Sequence, residues 1–438
     1  MTVVGRRRSL SDVIPWWSGA DETPLIVSAD GDQVITRAQF AAEVGVMTDQ
    51  LPAALNGRAV EVNASTLVAA LASVCAVWSS GGVPIPLAGR PGLLDGPPRR
   101  SWALVSTLGV GSVPVSLAVG AEGADDRWFF GLPSSGSTGA PSVHCGMEAT
   151  EGGVRAVSAV WQALGGAEAS SCTVVGGLGS SSGTYFAVTA LVRGLTQTGW
   201  ASDRARPGPL TAVIGSPAWV YCPTAVLQIS GPPFDLANML DPAATLVHGG
   251  SPCPVALKRR LIAAFGSRRI YEFYGASEGI GLTVIRGDES LAHPGSVGRG
   301  LFSNIEIRDE NGRAVPAGSI GTIYMGRGSD RLKFRTVGDV GYVDEESYLF
   351  VRGRAGSSAS VGGFLVDWEE TRRAILEIDG VEQVEVRVVP SHLLGEKLTA
   401  SVVVSEGSDV SRARLRSLLA RRLAREAIPL HIHVRTND

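Results

Sequence analysis

Residues 134–141 read Ser-Ser-Gly-Ser-Thr-Gly-Ala-Pro, a short step after the apolar run Trp128-Phe129-Phe130. The hydroxyls of Ser134, Ser135, Ser137 and Thr138 are interleaved with Gly136 and Gly139, whose missing Cβ lets the backbone turn tightly and approach an anion. Hydroxyls and backbone N–H groups in this density suit a loop that wraps a nucleotide's phosphates, with no charged side chain needed. The same composition in isolation also describes a surface linker. The segments downstream decide between the two.

With 438 residues, 44% apolar and 18% charged, the chain is a globular protein with ample core, long enough for about two to four domains. A net charge of −3 leaves no basic footprint for nucleic acid or an anionic membrane. The expected partners are therefore small molecules or proteins, with the oligomeric state open. Cys75, Cys145, Cys172, Cys222 and Cys253 are odd in number and show no C-x-x-C spacing, which argues against a disulfide framework or a zinc site and for a reducing cytoplasm. The longest apolar run, Leu67 to Trp78, is too short to span a bilayer, and the N-terminal stretch has only short apolar segments, so neither anchor nor export signal is expected. Lysine is scarce: Lys258, Lys333 and Lys397 stand against many arginines.

Short β-rich runs at Pro24–Val27, Val60–Val62, Ala103–Val105, Thr173–Val175, Thr211–Ile214 and Thr245–Val247 alternate with helical patterns at Arg37–Leu51, Thr66–Trp78, Gly152–Leu164, Thr184–Leu195 and Ala256–Phe265. Such alternation predicts an α/β body with largely parallel sheets. From Gly295 the texture changes to short strands broken by turns, at Ile305–Arg308, Gly321–Met325, Gly338–Val343 and Tyr348–Val351, with Asp309-Glu310-Asn311-Gly312 as a hairpin-type turn. The small residues of 354–360 read as a linker or hinge. Beyond them come a helix at Trp368–Leu376, strands near Val384–Val389 and Thr399–Val404, and an arginine-rich helix from Val410 to Arg425 whose cations read as a solvated face.

Four further segments follow the hydroxyl-rich loop in order: Val247-His248-Gly249-Gly250-Ser251-Pro252, Tyr271-Glu272-Phe273-Tyr274-Gly275-Ala276-Ser277-Glu278, Arg335-Thr336-Val337-Gly338-Asp339-Val340-Gly341-Tyr342, and Val351-Arg352-Gly353-Arg354. In this order and spacing they resemble the adenylate-forming superfamily of acyl-CoA synthetases, aryl-acid ligases, nonribosomal-peptide adenylation domains and luciferases, over about Pro24 to Pro429. The resemblance implies an α/β fold with a β-rich subdomain: an adenylate-forming body over residues 1–353, its subdomain from about 295, and a small mobile α+β domain over 354–438. It also implies attack by a substrate carboxylate on the α-phosphorus of ATP, aided by Mg²⁺, then transfer of the acyl group to CoA, a carrier protein or an amine.

On the same resemblance, Ser134 to Gly139 would hold the phosphates, Tyr274 would lie on or beside adenine, and Gly250 and Ser251 would line the nucleotide pocket. Gly249, Gly275 and Ser180 would face the acid. Ser277 would contact the α-phosphate side and Glu278 would hold Mg²⁺. Asp339 would accept both ribose hydroxyls, a task suited to a carboxylate's two oxygens, and Arg354 would sit at the hinge near ribose and phosphate. No aspartate stands in 176–183 to hold an amino group, so an aryl or acyl acid is expected rather than an α-amino acid.

The chain departs from the pattern in its cations. Ser142 stands where a lysine usually follows the loop's proline, Ser360 where a hinge lysine is expected, and Ser357 where the hinge aspartate is usual. The sequence is also expected to end before the family's terminal lysine turn, leaving Arg435 or a partner protein to supply that charge. Loss of one preorganised charge costs about 10²–10³ in rate. Two rivals follow. A lysine-poor member could hold an acid or acyl-adenylate without making it. Alternatively, Gly179-Ser180-Ser181-Ser182-Gly183 satisfies G-x-S-x-G, with Ser181 as the nucleophile of a serine hydrolase.

Overall fold

The computed structural model describes residues 9–28, 33–53, 55–64, 66–87, 101–108, 112–117, 125, 127–133, 143–175, 178, 180–199, 218–229, 243–251, 253–328, 330–354, 358–362, 364–405 and 407–436. Its centre is a nine-stranded sheet. In spatial order the strands are Arg299–Gly300, Leu282–Arg286, Ile270–Gly275, Thr245–Gly249, Ala218–Pro223, Ser171–Val174, Thr196–Gly199, Pro24–Ser28 and Val34–Thr36. The inner strands, from Ile270–Gly275 to Pro24–Ser28, pair in parallel, and antiparallel strands close both edges.

Alternation along the strands gives this sheet two buried faces. On Ala218–Pro223, Trp219 and Tyr221 join a core with Trp161, Phe186 and Trp78, while Val220 and Cys222 turn the other way to meet Leu257, Leu261 and Phe265. Trp161 and Trp219 have ring centroids 4.3 Å apart, and Phe186 contacts Trp161, Trp219, Tyr221 and Phe273. Aromatic pairs of this kind add about 0.5–1.5 kcal/mol each beyond the area they bury.

Helices begin where the sequence supplies a capping hydroxyl. Thr36, Thr66, Thr150, Ser180 and Ser411 each accept a backbone N–H from the third residue on, starting the helices Arg37–Asp49, Leu67–Ser79, Glu151–Ala163, Ser181–Arg193 and Arg412–Leu419. Each cap contributes about 1 kcal/mol. Leu67–Ser79 is buried from Val68 through Trp78, as an all-round apolar helix must be.

Beside this body lie a four-stranded mixed sheet of Val83–Pro86, Ala59–Val62, Ser112–Leu117 and Ser101–Val105, and a hairpin of Trp128–Pro133 with Val143–Glu148. The β-rich subdomain is an antiparallel sheet of Asn304–Arg308, Gly321–Gly326, Asp339–Val343 and Leu349–Arg354, in which Tyr342 stacks on Phe350 across the strands at 4.7 Å. Asp309 Oδ1 accepts the N–H groups of Asn311 and Arg313, forming the turn its sequence predicts. The last sheet joins Phe364–Asp367, Ser358–Val361, Gly395–Val404 and Val381–Ser391, and His431–Thr436 pairs in parallel with Gly395–Val404. Trp368–Leu376 and Arg412–Leu419 cover it around Ile375, Leu398, Leu415 and Leu419.

Two expectations change. Ser358–Val361 is not linker but a strand paired with Phe364–Asp367. The arginine-rich helix is only Arg412–Leu419, after which Arg421 and Arg422 close tight i→i+3 turns onto Leu418 and Leu419. The Thr211–Ile214 segment lies outside the described residues. All five cysteines are free. Burial pushes the thiols of Cys75, Cys172 and Cys222 upward, and those of Cys145 and Cys253 up to about 12. No helix among the described residues is long and apolar enough to cross a membrane.

Candidate active site

The chain order of the main sheet reverses at one place. After Ser171–Val174 the next strand, Thr196–Gly199, is added on one side, while Ala218–Pro223, Thr245–Gly249 and Ile270–Gly275 are added on the other. In an open α/β sheet a crevice forms outside the strands' carboxyl ends at such a switch, and ligands bind there. The carboxyl ends here carry Ser180, Thr224, Gly249-Gly250-Ser251 and Tyr274 to Glu278.

Three segments far apart in sequence meet at this edge. The Tyr274 hydroxyl donates to Asp339 Oδ2 at 2.5 Å, joining the main sheet to the four-stranded sheet. Arg335 Nη2 donates to the Glu278 carbonyl oxygen at 3.4 Å, and Ser277 Oγ donates to Glu278 Oε2 at 3.2 Å. The backbone pairs Asp339 with Arg354 across neighbouring strands. His144 is held below its ordinary pKa by burial, with the Glu278 carboxylate opposing and Arg335 reinforcing the shift. It stands one residue beyond Val143, which pairs with Pro133 across the hairpin that brackets 134–142.

Gly249, Gly250 and Ser251 end the strand Thr245–Gly249. A Cβ at Gly249 would lie 2.7 Å from the Phe273 carbonyl oxygen, so only glycine fits between these strands. Gly250 has φ +83°, a left-handed conformation that other residues resist. The buried Ser251 Oγ has no hydrogen-bond partner among the described residues, and a buried hydroxyl left unpaired costs about 1–3 kcal/mol.

Gly275 is exposed at the end of its strand. Ser180 Oγ accepts the Gly183 N–H at 3.0 Å and lies 3.4 Å from Ser182 Oγ, which in turn meets the Tyr221 hydroxyl at 2.6 Å. Burial pushes that phenol up to about 12. Ser180 is thus a helix cap following the carboxyl end of the strand Ser171–Val174. Of the other expected residues, Ser134, Ser135, Gly136, Ser137, Thr138 and Gly139 lie outside the described residues, as does the side chain of Arg354.

The hydrolase alternative lacks its geometry. Six residues, 175–180, separate the strand Ser171–Val174 from the helix that begins at Ser181, where a nucleophile elbow needs a sharp strand-to-helix turn.

Sequence reasoning assigned no role to Arg335, although it stands in the quoted motif. It also missed a fully buried polar chain on the opposite face of the strands: Lys258 Nζ lies 2.8 Å from Glu272 Oε2 and 2.7 Å from His248 Nε2, and Thr224 Oγ1 lies 3.0 Å from His248 Nδ1. The one available signal was that Lys258 shares a helix face with Val255, Leu261 and Ile262, although Arg259 and Arg260 follow it directly.

A family model described as AMP-binding enzyme matches residues 126–329. An uncharacterized acyl-CoA ligase of Bacillus subtilis is 30% identical over 190 residues, 41% of this chain and 40% of that protein. A long-chain-fatty-acid–CoA ligase of Mycobacterium tuberculosis is 28% identical over 200 residues, 42% of this chain and 39% of that protein. The matched segment thus spans about two fifths of these curated relatives. Among solved structures, an amide bond synthetase from Marinactinospora thermotolerans superposes with TM-score 0.68 at 18% identity, over 96% of this chain and 94% of that one. A double-mutant o-succinylbenzoate CoA synthetase from Bacillus subtilis gives TM-score 0.71 at 17% identity, over 97% and 93%. The chain therefore has the fold of these synthetases nearly end to end, and its residues 126–329 match the family of AMP-binding enzymes.

Proposed function

We propose that this protein activates a carboxylic acid with ATP and passes the acyl group to CoA or an amine, with a carrier-protein thiol as a further acceptor. A carboxylate oxygen of the acid attacks the α-phosphorus, the bond to the bridging oxygen of pyrophosphate breaks, and an acyl-adenylate remains. The thiol or amine then attacks the acyl carbon and AMP leaves. The observation that carries this reading is the meeting of Tyr274, Asp339, Glu278 and Arg335 at the switch-point edge.

In this scheme Asp339, oriented by the Tyr274 hydroxyl, accepts from the ribose, and the unpaired Ser251 hydroxyl pairs with the nucleotide. Arg335 holds the backbone of the Glu278 turn, so the half-buried carboxylate faces a fixed direction. A carboxylate beside a hydroxyl is the hard oxygen set that Mg²⁺ takes when it also binds phosphates, and Glu278 would hold it. When bound, the ion would neutralise charge developing on the phosphates. The loop 134–139, Ser277 and Arg354 complete the phosphate contacts, and Ser180, Gly249 and Gly275 the acid side. Ser180 offers a hydroxyl and no carboxylate, consistent with an aryl or aliphatic acid. A cytoplasmic setting, where ATP and CoA are available, suits the reaction.

An ATP–pyrophosphate exchange screen over aryl and aliphatic acids tests the proposal. Exchange with at least one acid, lost in Glu278→Gln, is the expected result, and no exchange with any acid despite tight nucleotide binding would overturn it. That second outcome would favour a protein that holds an acid or acyl-adenylate without turnover. The disposition of the lysines supports this second reading. Lys258 is committed to Glu272, Lys333 is exposed in an ion pair with Asp330, and Lys397 pairs with Val389 in the last sheet.

A further inference from the structure

The polar chain behind the crevice has a direction. An ammonium has donors only, so Lys258 donates to Glu272 Oε2 at 2.8 Å and to His248 Nε2 at 2.7 Å. A neutral imidazole that accepts at Nε2 carries its proton on Nδ1, which then donates to Thr224 Oγ1 at 3.0 Å. The threonine's own proton is left for the Gly249 carbonyl oxygen, 3.3 Å away. Thr224, His248, Lys258 and Glu272 are all buried, and His248 is kept neutral because burial, then the Lys258 charge, hold its pKa well below the ordinary value. Cys253 is the remaining titratable neighbour, its thiol pushed up to about 12 by burial. His248, Cys253 and Glu272 offer ligand atoms within 4.8 Å of one another, but the Lys258 ammonium already binds two of them and supplies the cation.

We propose that Lys258 is a positioning residue for the nucleotide-facing turn. By setting the proton order Lys258 to His248 to Thr224, it fixes the Gly249 carbonyl, and with it the turn that carries the left-handed Gly250 and the unpaired Ser251 hydroxyl. Without the ammonium, His248 is free to protonate Nε2 instead, and Thr224 then donates to Nδ1 rather than to Gly249. The Lys258–Glu272 pair also ties the helix Val255–Phe265 to the strand Ile270–Gly275, whose end carries Tyr274. One buried charge thereby holds both halves of the adenosine site. The proposal rests on reading Gly249–Ser251 as nucleotide-facing.

The test is calorimetric titration of AMP into the full-length protein, with melting temperature measured in parallel. Thr224→Val is expected to raise the AMP Kd about tenfold, the equivalent of one buried hydrogen bond, and Thr224→Ser to stay within about twofold of wild type. Lys258→Met alone strands the Glu272 charge and endangers folding, so the paired Lys258→Met/Glu272→Gln variant is used and is expected to match Thr224→Val. Nitrogen-15 NMR of the histidine rings is expected to find His248 as the neutral Nδ1–H tautomer between about pH 5.5 and 8. A lowered melting temperature with unchanged AMP affinity in both variants, or His248 as the Nε2–H tautomer, overturns the role of Lys258 alone. A wild type that binds neither AMP nor ATP overturns the reading of the turn itself, and the role of Lys258 with it.

Discussion

The Tyr274 hydroxyl and the Asp339 carboxylate lie 2.5 Å apart although 65 residues separate them in the chain. Tyr274 is the penultimate residue of the strand Ile270–Gly275 of the main sheet, and Asp339 begins Asp339–Val343 of the antiparallel four-stranded sheet. The contact is therefore the seam between the two sheets as well as a feature of the crevice.

Asp339→Asn and Tyr274→Phe should separate these two roles. A hydrogen bond to a carboxylate contributes about 1.5–3 kcal/mol, so losing both proposed ribose contacts in Asp339→Asn is expected to lower kcat/KM for ATP by about 10²-fold, whereas Tyr274→Phe should cost about tenfold. Steady-state pyrophosphate release at varied ATP measures both. Equal activity in Asp339→Asn and wild type would remove Asp339 from the ribose.

Glu278→Gln keeps the shape of the side chain and discards its charge. Pyrophosphate exchange is expected to fall by about 10²–10³ and the Mg²⁺ concentration for half-maximal rate to rise, while the fold, judged by its melting temperature, stays intact. A variant with wild-type Mg²⁺ dependence would assign the ion elsewhere.

Acid should destabilise the protein through His248. Its folded pKa lies well below 6.5 while the unfolded chain titrates near that value, so the unfolded state takes up a proton the native state refuses. The stabilising effect is complete above about pH 6.5 and is lost as pH falls toward the folded value, with a limiting slope of about 1.4 kcal/mol per pH unit. His144, also lowered by burial, adds a slope of the same sign, so the comparison is between wild type and His248→Gln, whose amide can still accept from Lys258 and donate to Thr224. Denaturant midpoints from pH 7.5 to 5.5 should fall less steeply in His248→Gln, by about one proton's worth. Parallel slopes would mean that His248 titrates normally in the native state.

Gly249→Ala places a methyl 2.7 Å from the Phe273 carbonyl oxygen and 2.9 Å from its ring. Neighbouring parallel strands cannot separate locally without breaking their ladder, so a loss of about 1–3 kcal/mol in unfolding free energy is expected. Chemical denaturation reads it directly, and an unchanged midpoint would indicate more slack between these strands than their spacing implies.

Much of the body was legible in the sequence because it depends on local signals. The helical patterns at Arg37–Leu51 and Thr66–Trp78 are local, and the helices Arg37–Asp49 and Leu67–Ser79 form there, capped by Thr36 and Thr66. The strand Ala218–Pro223 was missed because two aromatics, a cysteine and a terminal proline do not alternate in polarity when both faces are buried. At the crevice, the resemblance implied one nucleotide site shared by Tyr274, Glu278 and Asp339. It could not reveal the bond between Tyr274 and Asp339, nor the burial of Lys258, because a lysine at a helix position reads as solvated until the neighbouring strand is known to offer Glu272. The hinge reading failed at Ser358–Ser360 because a run of small residues also fits a paired strand, here one whose Ala359 and Val361 are buried in the core of the last sheet.

The five thiols described with the fold bear on how the proposed catalyst would survive its own product. A mixed anhydride of acid and AMP acylates any thiolate it meets, and a cysteine with a pKa near 12 is ionised in only about one molecule in 10⁵ at neutral pH. Slow alkylation of the native protein by iodoacetamide at neutral pH, accelerating on unfolding, would bear this out. In the proposed reaction, sulfur atoms kept protonated in this way would spare the protein self-acylation and leave the activated acyl group to the external nucleophile.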